Sequence, residues 1–176
     1  MRRLALCVCL VLASATLLAD DHVVLFDEDV DFTAFRTFVV GGGRMKSERA
    51  ELQFPAVMAS LAESIRAGLK ARVLKEASDR PDLQVDFSVT GVDYAIGPFG
   101  RANVVSGGRG RRGAPSGGAA VDFTEATLVI DVTEVRTGTL IWRGVFHDTE
   151  KDAQKLAEAL PKDAATLAAE YPPRKK

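Results

Sequence analysis

The stretch Phe123–Phe146, FTEATLVIDVTEVRTGTLIWRGVF, carries apolar residues on alternate positions in two runs. Ala126, Leu128, Ile130 and Val132 share one parity, and Leu140, Trp142 and Phe146 share the same parity further on. Because successive side chains of a strand point to opposite faces, each run has one dry side. Two strands joined by a short turn must turn their dry sides the same way, which requires an odd number of loop residues. Arg136-Thr137-Gly138 supplies that odd count, with Gly138 suited to a left-handed bulge position. The register then sets Leu128 against Phe146 and Val132 against Trp142, with Asp131 facing Arg143 on the wet side. An opposite-charge cross-strand pair contributes roughly 0.2–1 kcal/mol, so Asp131 and Arg143 are expected to serve the sheet. The alternative is that Arg143 binds a substrate. Trp142, with only apolar neighbours in its parity, is expected in the core rather than as a ligand platform.

The remainder of the chain supplies partners for this hairpin. His22–Phe26 is a short apolar run, and Phe32, Phe35 and Phe38 bracket a turn and a second strand over Arg36–Val40. Gly41–Gly43 ends that strand and Arg44–Gln53 reads as a loop. Pro55 suits the first position of a helix. Val57, Leu61, Ile65, Leu69 and Val73 then recur every fourth residue, which predicts one amphipathic helix from Pro55 to about Ala77. SDRPD (78–82) breaks it. Leu83, Val85, Phe87 and Val89 alternate with Gln84, Asp86, Ser88 and Thr90, a strand with one wet face. Residues 97–120 are rich in Gly and Arg with little to bury, and read as a flexible excursion between two strands. Ala153–Leu160 has helical spacing, a second helical start follows at Pro161, and Pro172 and Pro173 stop it.

With 176 residues the chain is one domain by default, and a formal net charge of −1 gives it no bulk attraction to nucleic acid or to an anionic membrane. Its first residues have the pattern of an export signal: basic Arg2 and Arg3, apolar Leu4–Leu12, then small residues. Cleavage is expected after Ala19, leaving a single domain over 20–176 and no transmembrane span; an uncleaved N-terminal anchor is the alternative. Cys7 and Cys9, the only cysteines, lie inside the apolar segment, so the processed chain offers no thiol for a disulfide, a nucleophile or a thiolate metal site.

Candidate chemistry is sparse. Asp27, Asp29 and Asp31 match the first carboxylates of a calcium loop, but Phe32 stands where that loop needs glycine and Phe38 where it needs a bidentate glutamate. GRGRRG (108–113) satisfies a dinucleotide fingerprint in letters, yet APSGGAA follows it and starts no phosphate-holding helix. Two histidines, His22 and His147, do not make a triad or a metal cage. No catalytic residue, metal site or cofactor is therefore expected. Arg101, Arg109, Arg111 and Arg112 lie in a segment free of acidic residues, which reads as a merely solvated loop or as a candidate anion-binding loop for an envelope polymer or lipid head groups. Without interleaved aromatics for stacking, nucleic acid is not expected as a partner.

Several of these segments together resemble a known family. DVDFTAFRTFVV is similar to its Asp-x-x-x-Phe-x-x-Tyr/Phe-x-Thr-Phe opening; the long helix, PDLQVDFSV and TLVIDVTEVRTGTLIWRGVF follow in its order. The chain over 22–171 resembles the uncharacterised bacterial cell-envelope proteins grouped as domain-of-unknown-function family 4136, most sharply at Leu128, Ile130, Asp131, Gly138, Leu140, Trp142, Arg143 and Gly144. The resemblance implies an α+β domain, often lipid-anchored, facing the periplasm or outer membrane, with no assigned activity. This chain departs from the pattern in lacking a lipobox cysteine, in its longer Gly/Arg loop, and in having Val39 and Val40 where an aromatic is usual. The expected architecture is α+β: a mostly antiparallel sheet of about five strands with the long helix and a C-terminal helix on one face. The expected function is a structural or binding domain of the envelope, not an enzyme; a hydrolase or binding enzyme acting on envelope polymers or lipids is the rival.

Overall fold

The computed structural model describes residues 21–96, 102–105 and 122–172. Its frame is the expected hairpin: β7 (Asp122–Glu134) and β8 (Thr139–Glu150) run antiparallel, with Leu128 opposite Phe146, Val132 opposite Trp142 and Asp131 opposite Arg143. The turn that produces this register differs from the expected one. Four residues, Val135–Gly138, connect the strands, and the odd count is restored by a bulge between Val132 and Thr133, where Thr133 faces Leu140 and Val132 faces Trp142. Ile141 is the extra residue, and its carbonyl accepts a hydrogen bond from the Asp27 N–H at 3.0 Å. The bulge reverses parity at the start of β8. Leu140, expected in the core, is 43% exposed, whereas Ile141 and Trp142 are both buried. Gly138 has φ +70°, the left-handed conformation the turn requires.

The other strands extend the sheet on both sides. β1 (Asp21–Phe26) pairs antiparallel with β8, and the long β5 (Leu83–Ile96) pairs antiparallel with β7. β2 (Thr37–Val40) and β3 (Arg44–Lys46) lie parallel to β5, β4 (Lys75–Glu76) lies parallel to β2, and β6 (Ala102–Val105) pairs antiparallel with β5. The order is β1-β8-β7-β5-β2-β4, with β3 and β6 also on β5. The α+β class stands, but the sheet is mixed rather than mostly antiparallel. It has eight strands rather than about five, β4 being a two-residue pairing. Parallel pairing follows from the connection: the chain leaves β2, crosses through α1 (Pro55–Lys70) and returns to β5 in the same direction, a geometry a hairpin cannot give. Within the segment expected to be a flexible excursion, Ala102–Val105 is a strand.

α1 and α2 (Ala153–Ala169) pack side by side on one face. α1 stops at Lys70, short of the expected end near Ala77. Val73, expected on its apolar stripe, sits at φ +70° and 85% exposed, and the turn it makes lets Lys75 N–H donate to the Arg36 carbonyl and Ala77 N–H to that of Phe38. The chain thereby rejoins the sheet beside β2. Pro161 does not start a second helix; α2 runs through it, capped by the Asp152 carboxylate on the Gln154 N–H at 3.0 Å. Leu61, Ile65 and Leu69 of α1, and Leu156, Leu160, Ala164 and Leu167 of α2, are sealed against Phe38, Leu83, Val85, Leu128, Ile130 and Trp142. A Cβ on Gly68 would lie 2.5 Å from that of Ala168, so the helix pair closes around a position with no side chain.

Candidate functional site

The hairpin residues that first attract attention divide between two faces. Trp142 is 1% exposed and meets the ring of Tyr171 edge-on at 6.0 Å, beneath α2. A Cβ on Gly144 would lie 2.6 Å from the indole, so glycine there makes room for the ring. Among the described residues neither the indole N–H nor the Tyr171 hydroxyl has a hydrogen-bond partner, and burial pushes the Tyr171 pKa up. Trp142 is thus a core residue, as its parity predicts. Arg143 lies on the opposite face, donating from Nε and Nη2 to the two Asp131 carboxylate oxygens at 2.6 and 2.8 Å. That bidentate bond raises the Arg143 pKa further and occupies the fork of the guanidinium.

The face bearing Arg143 has no helix over it among the described residues. Its residues form rows across the strands. Leu25, Arg143, Asp131 and Asp86 stand opposite one another in turn, and beside them Val23, Val145, Val129 and Ser88. In the next row Thr127 and His147 share a hydrogen bond of 3.1 Å. Further along, Tyr94 and Phe123 stack at 5.1 Å. Val23 and Leu25 are 48% and 57% exposed, so the edge of this face at β1 is apolar and wet together.

A third region emerges where β5 begins and β7 ends. A cleft of about 480 Å³ is lined by Ala34, Phe35, Arg80, Pro81, Asp82, Glu134, Val135 and Arg136. Asp82 organises it. One carboxylate oxygen accepts from the Arg36 N–H at 2.8 Å, the Thr37 N–H at 2.9 Å and the Thr37 hydroxyl at 2.9 Å. The Asp82 N–H donates back to that hydroxyl, and the Asp82 carbonyl accepts from Val135 N–H. The two backbone N–H donors hold the Asp82 carboxyl below the usual carboxylate range. Glu134 accepts from Arg136 at 3.1 Å and from the Thr137 hydroxyl at 2.8 Å. Arg80 has φ +45°, a conformation that costs a non-glycine residue of order 1 kcal/mol or more, and it precedes proline.

None of these cleft residues was read as a site residue in the sequence; Phe35 and Arg136 were read only as turn residues. They come from three segments that no motif spacing links, and SDRPD was legible only as a break. Arg101, Arg109, Arg111 and Arg112, and the signal segment 1–19, lie outside the described residues. The carboxylates of the calcium-loop match serve locally: Asp27 accepts from Asp29 N–H and Asp31 from Thr33 N–H, each at 3.0 Å. His22 and His147 stand on opposite faces of the sheet, His22 stacked on Phe146 and His147 beside Thr127. No helix among the described residues is long and apolar enough to cross a membrane.

A model of the domain of unknown function DUF4136 matches residues 23–173. The chain belongs to this family. Among curated proteins none matches it. This DUF4136 domain is similar in fold to a PDZ domain protein from Parabacteroides distasonis, with a TM-score of 0.56 and 14% identity over 88% of this chain. It spans only 36% of that longer protein. It is also similar to the PelC dodecamer from Paraburkholderia phytofirmans, with a TM-score of 0.46 and 13% identity over 85% of this chain and 93% of that one. A minor lipoprotein from Acinetobacter baumannii gives a TM-score of 0.44 and 9% identity, covering 78% of this chain and 92% of its own. The first likeness supports the architecture of a mixed sheet with two helices on one side.

Proposed function

We propose that this DUF4136 domain is an exported envelope protein that works by binding or scaffolding rather than by chemistry, with the uncovered sheet face as its contact surface. The observation that carries this reading is the face itself: a row of three valines and Ser88 beside a row in which Leu25 flanks the Arg143–Asp131 ion pair, partly in water across β1, β8, β7 and β5. Its polar groups are engaged with one another, Arg143 with Asp131, His147 with Thr127 and Gln84 with Asp86, which suits recognition of a surface. Export is supported by the basic and apolar composition of the N-terminal segment, and with it goes the reading that the contact is made in the periplasm or at the outer membrane. The partner is an anionic envelope polymer or lipid head group, for which Arg101, Arg109, Arg111 and Arg112 supply positive charge.

Two measurements test this. The intact mass of the native protein should fit cleavage after Ala19; an unprocessed mass of 18.9 kDa would replace cleavage by the uncleaved N-terminal anchor. Val23→Glu with Leu25→Glu should release the protein from purified envelope fractions while its melting temperature changes little, both side chains being about half exposed on the edge strand of this face. Undiminished retention would rule out this face as the contact surface.

A further inference from the structure

The cleft between the start of β5 and the hairpin turn is distinct from the open sheet face, and its composition is specific. Phe35, Pro81 and Val135 give it apolar walls, and Val135 is 46% exposed with no packing role in the core. Its volume lies within the range of small-molecule sites. The two carboxylates on its lining have structural partners: Asp82 holds the start of β2, and Glu134 holds Arg136 and Thr137. The Arg80 side chain is 93% exposed, and its nearest carboxylate, Asp79, is 3.9 Å away and 96% exposed. The guanidinium of Arg80 is therefore the least committed charge on the lining, and Arg136 keeps N–H groups beyond those bonded to Glu134.

The backbone at Arg80 is also held in place by the fold. Pro81 and Asp82 follow it directly, and Asp82 is tied to β2 on one side and to Val135 of the hairpin turn on the other. A left-handed residue before proline persists only where its surroundings fix it, and such residues concentrate at ligand sites. We propose that this cleft binds an amphiphilic anion: a carboxylate or phosphate head on Arg80 and Arg136, with a short apolar stem against Phe35, Pro81 and Val135. A planar guanidinium suits either head group, so the two sources share one chemistry.

The test uses the processed full-length chain and four soluble probes below their micellar concentrations: octanoate, octyl phosphate, octyl glucoside and octylamine. Amide chemical shifts report the site. Octanoate or octyl phosphate should move the amides of Phe35, Asp82, Val135 and Arg136, and the tighter of the two identifies the head group. Arg80→Gln should weaken that binding about tenfold, the loss expected for one charge-assisted contact. Because Arg80 is exposed, the variant keeps its fold. Val135→Glu, which sets a carboxylate against the stem, should weaken the anions more than the glucoside. Added salt should weaken both anions. Equal shifts with octyl glucoside would reduce the cleft to a nonspecific apolar groove. Preference for octylamine would show that its carboxylates dominate, and no shift with any probe, or unchanged affinity in Arg80→Gln, would end the proposal.

Discussion

Residues 130 and 131, or 142 and 143, are neighbours in sequence and lie on opposite faces of one sheet. On the helix side Leu128, Ile130, Val132, Trp142 and Phe146 are almost sealed from solvent, and Trp142 touches Tyr171 and the glycine at 144. On the other side Val129, Asp131, Arg143 and Val145 keep part of their surface wet, and the most conspicuous pair among them is an ion pair with side chains 42% and 27% exposed. The energies differ as the surroundings do. Burying a large aromatic removes much apolar area from water and fills a close-packed space. A half-exposed ion pair gains little over the water it displaces. The two faces therefore differ in kind: one holds the fold, and the other keeps its polar and apolar side chains partly in water.

Substitutions on the covered face should be the most costly. Trp142→Ala should lose about 3–5 kcal/mol, read as a drop in the denaturation midpoint. A loss comparable to that of an exposed residue would erase the contrast between the faces. Gly68→Ala should cost about 1–3 kcal/mol by forcing α1 from α2, and Ala168→Gly in the same chain should recover part of it, since the two methyl positions coincide. Independent, additive losses would mean that the helices do not meet there.

Asp82 sharpens the comparison because it is polar, yet it holds backbone. Asp82→Ala should cost about 1–3 kcal/mol at neutral pH by orphaning the Arg36 and Thr37 N–H groups. Its pH dependence has a definite sign. A carboxyl lowered by those N–H donors contributes fully above its unfolded pKa and loses that contribution as pH falls through its folded one. The gap between wild type and Asp82→Ala should thus narrow in acid; a gap that widened would reverse the assignment. The smallest effect belongs to the open face. In a double-mutant cycle, Asp131→Asn with Arg143→Gln should show a coupling of roughly 0.2–1 kcal/mol. Zero coupling would leave the pair without even an architectural role.

Much of the covered face was legible because a period of two, combined with a short turn, leaves few registers. The odd count was legible as well, but not its source: a three-residue turn and a four-residue turn with a bulge at Ile141 give the same pairing beyond it. Leu140 was misplaced for that reason alone. Parallel pairing of β2 and β3 with β5 was hidden because it joins segments some forty residues apart, and strands as short as β3 and β4 show no period. Val73 continued the four-residue spacing of α1, and only its left-handed backbone shows that the helix has ended. The cleft was illegible for the same reason as the parallel strands. Its walls converge from 34–35, 80–82 and 134–136, and the clamp made by Asp82 is a set of bonds to backbone that no side-chain pattern encodes.

Trp142 is the sole tryptophan, so its fluorescence reports on the covered face without labelling. The native protein should emit well to the blue of its unfolded form and resist quenching by acrylamide until the sheet and helices unfold together. Native emission at the unfolded wavelength with free quenching would put the indole in water and contradict the division of the sheet into a dry face and a wet face.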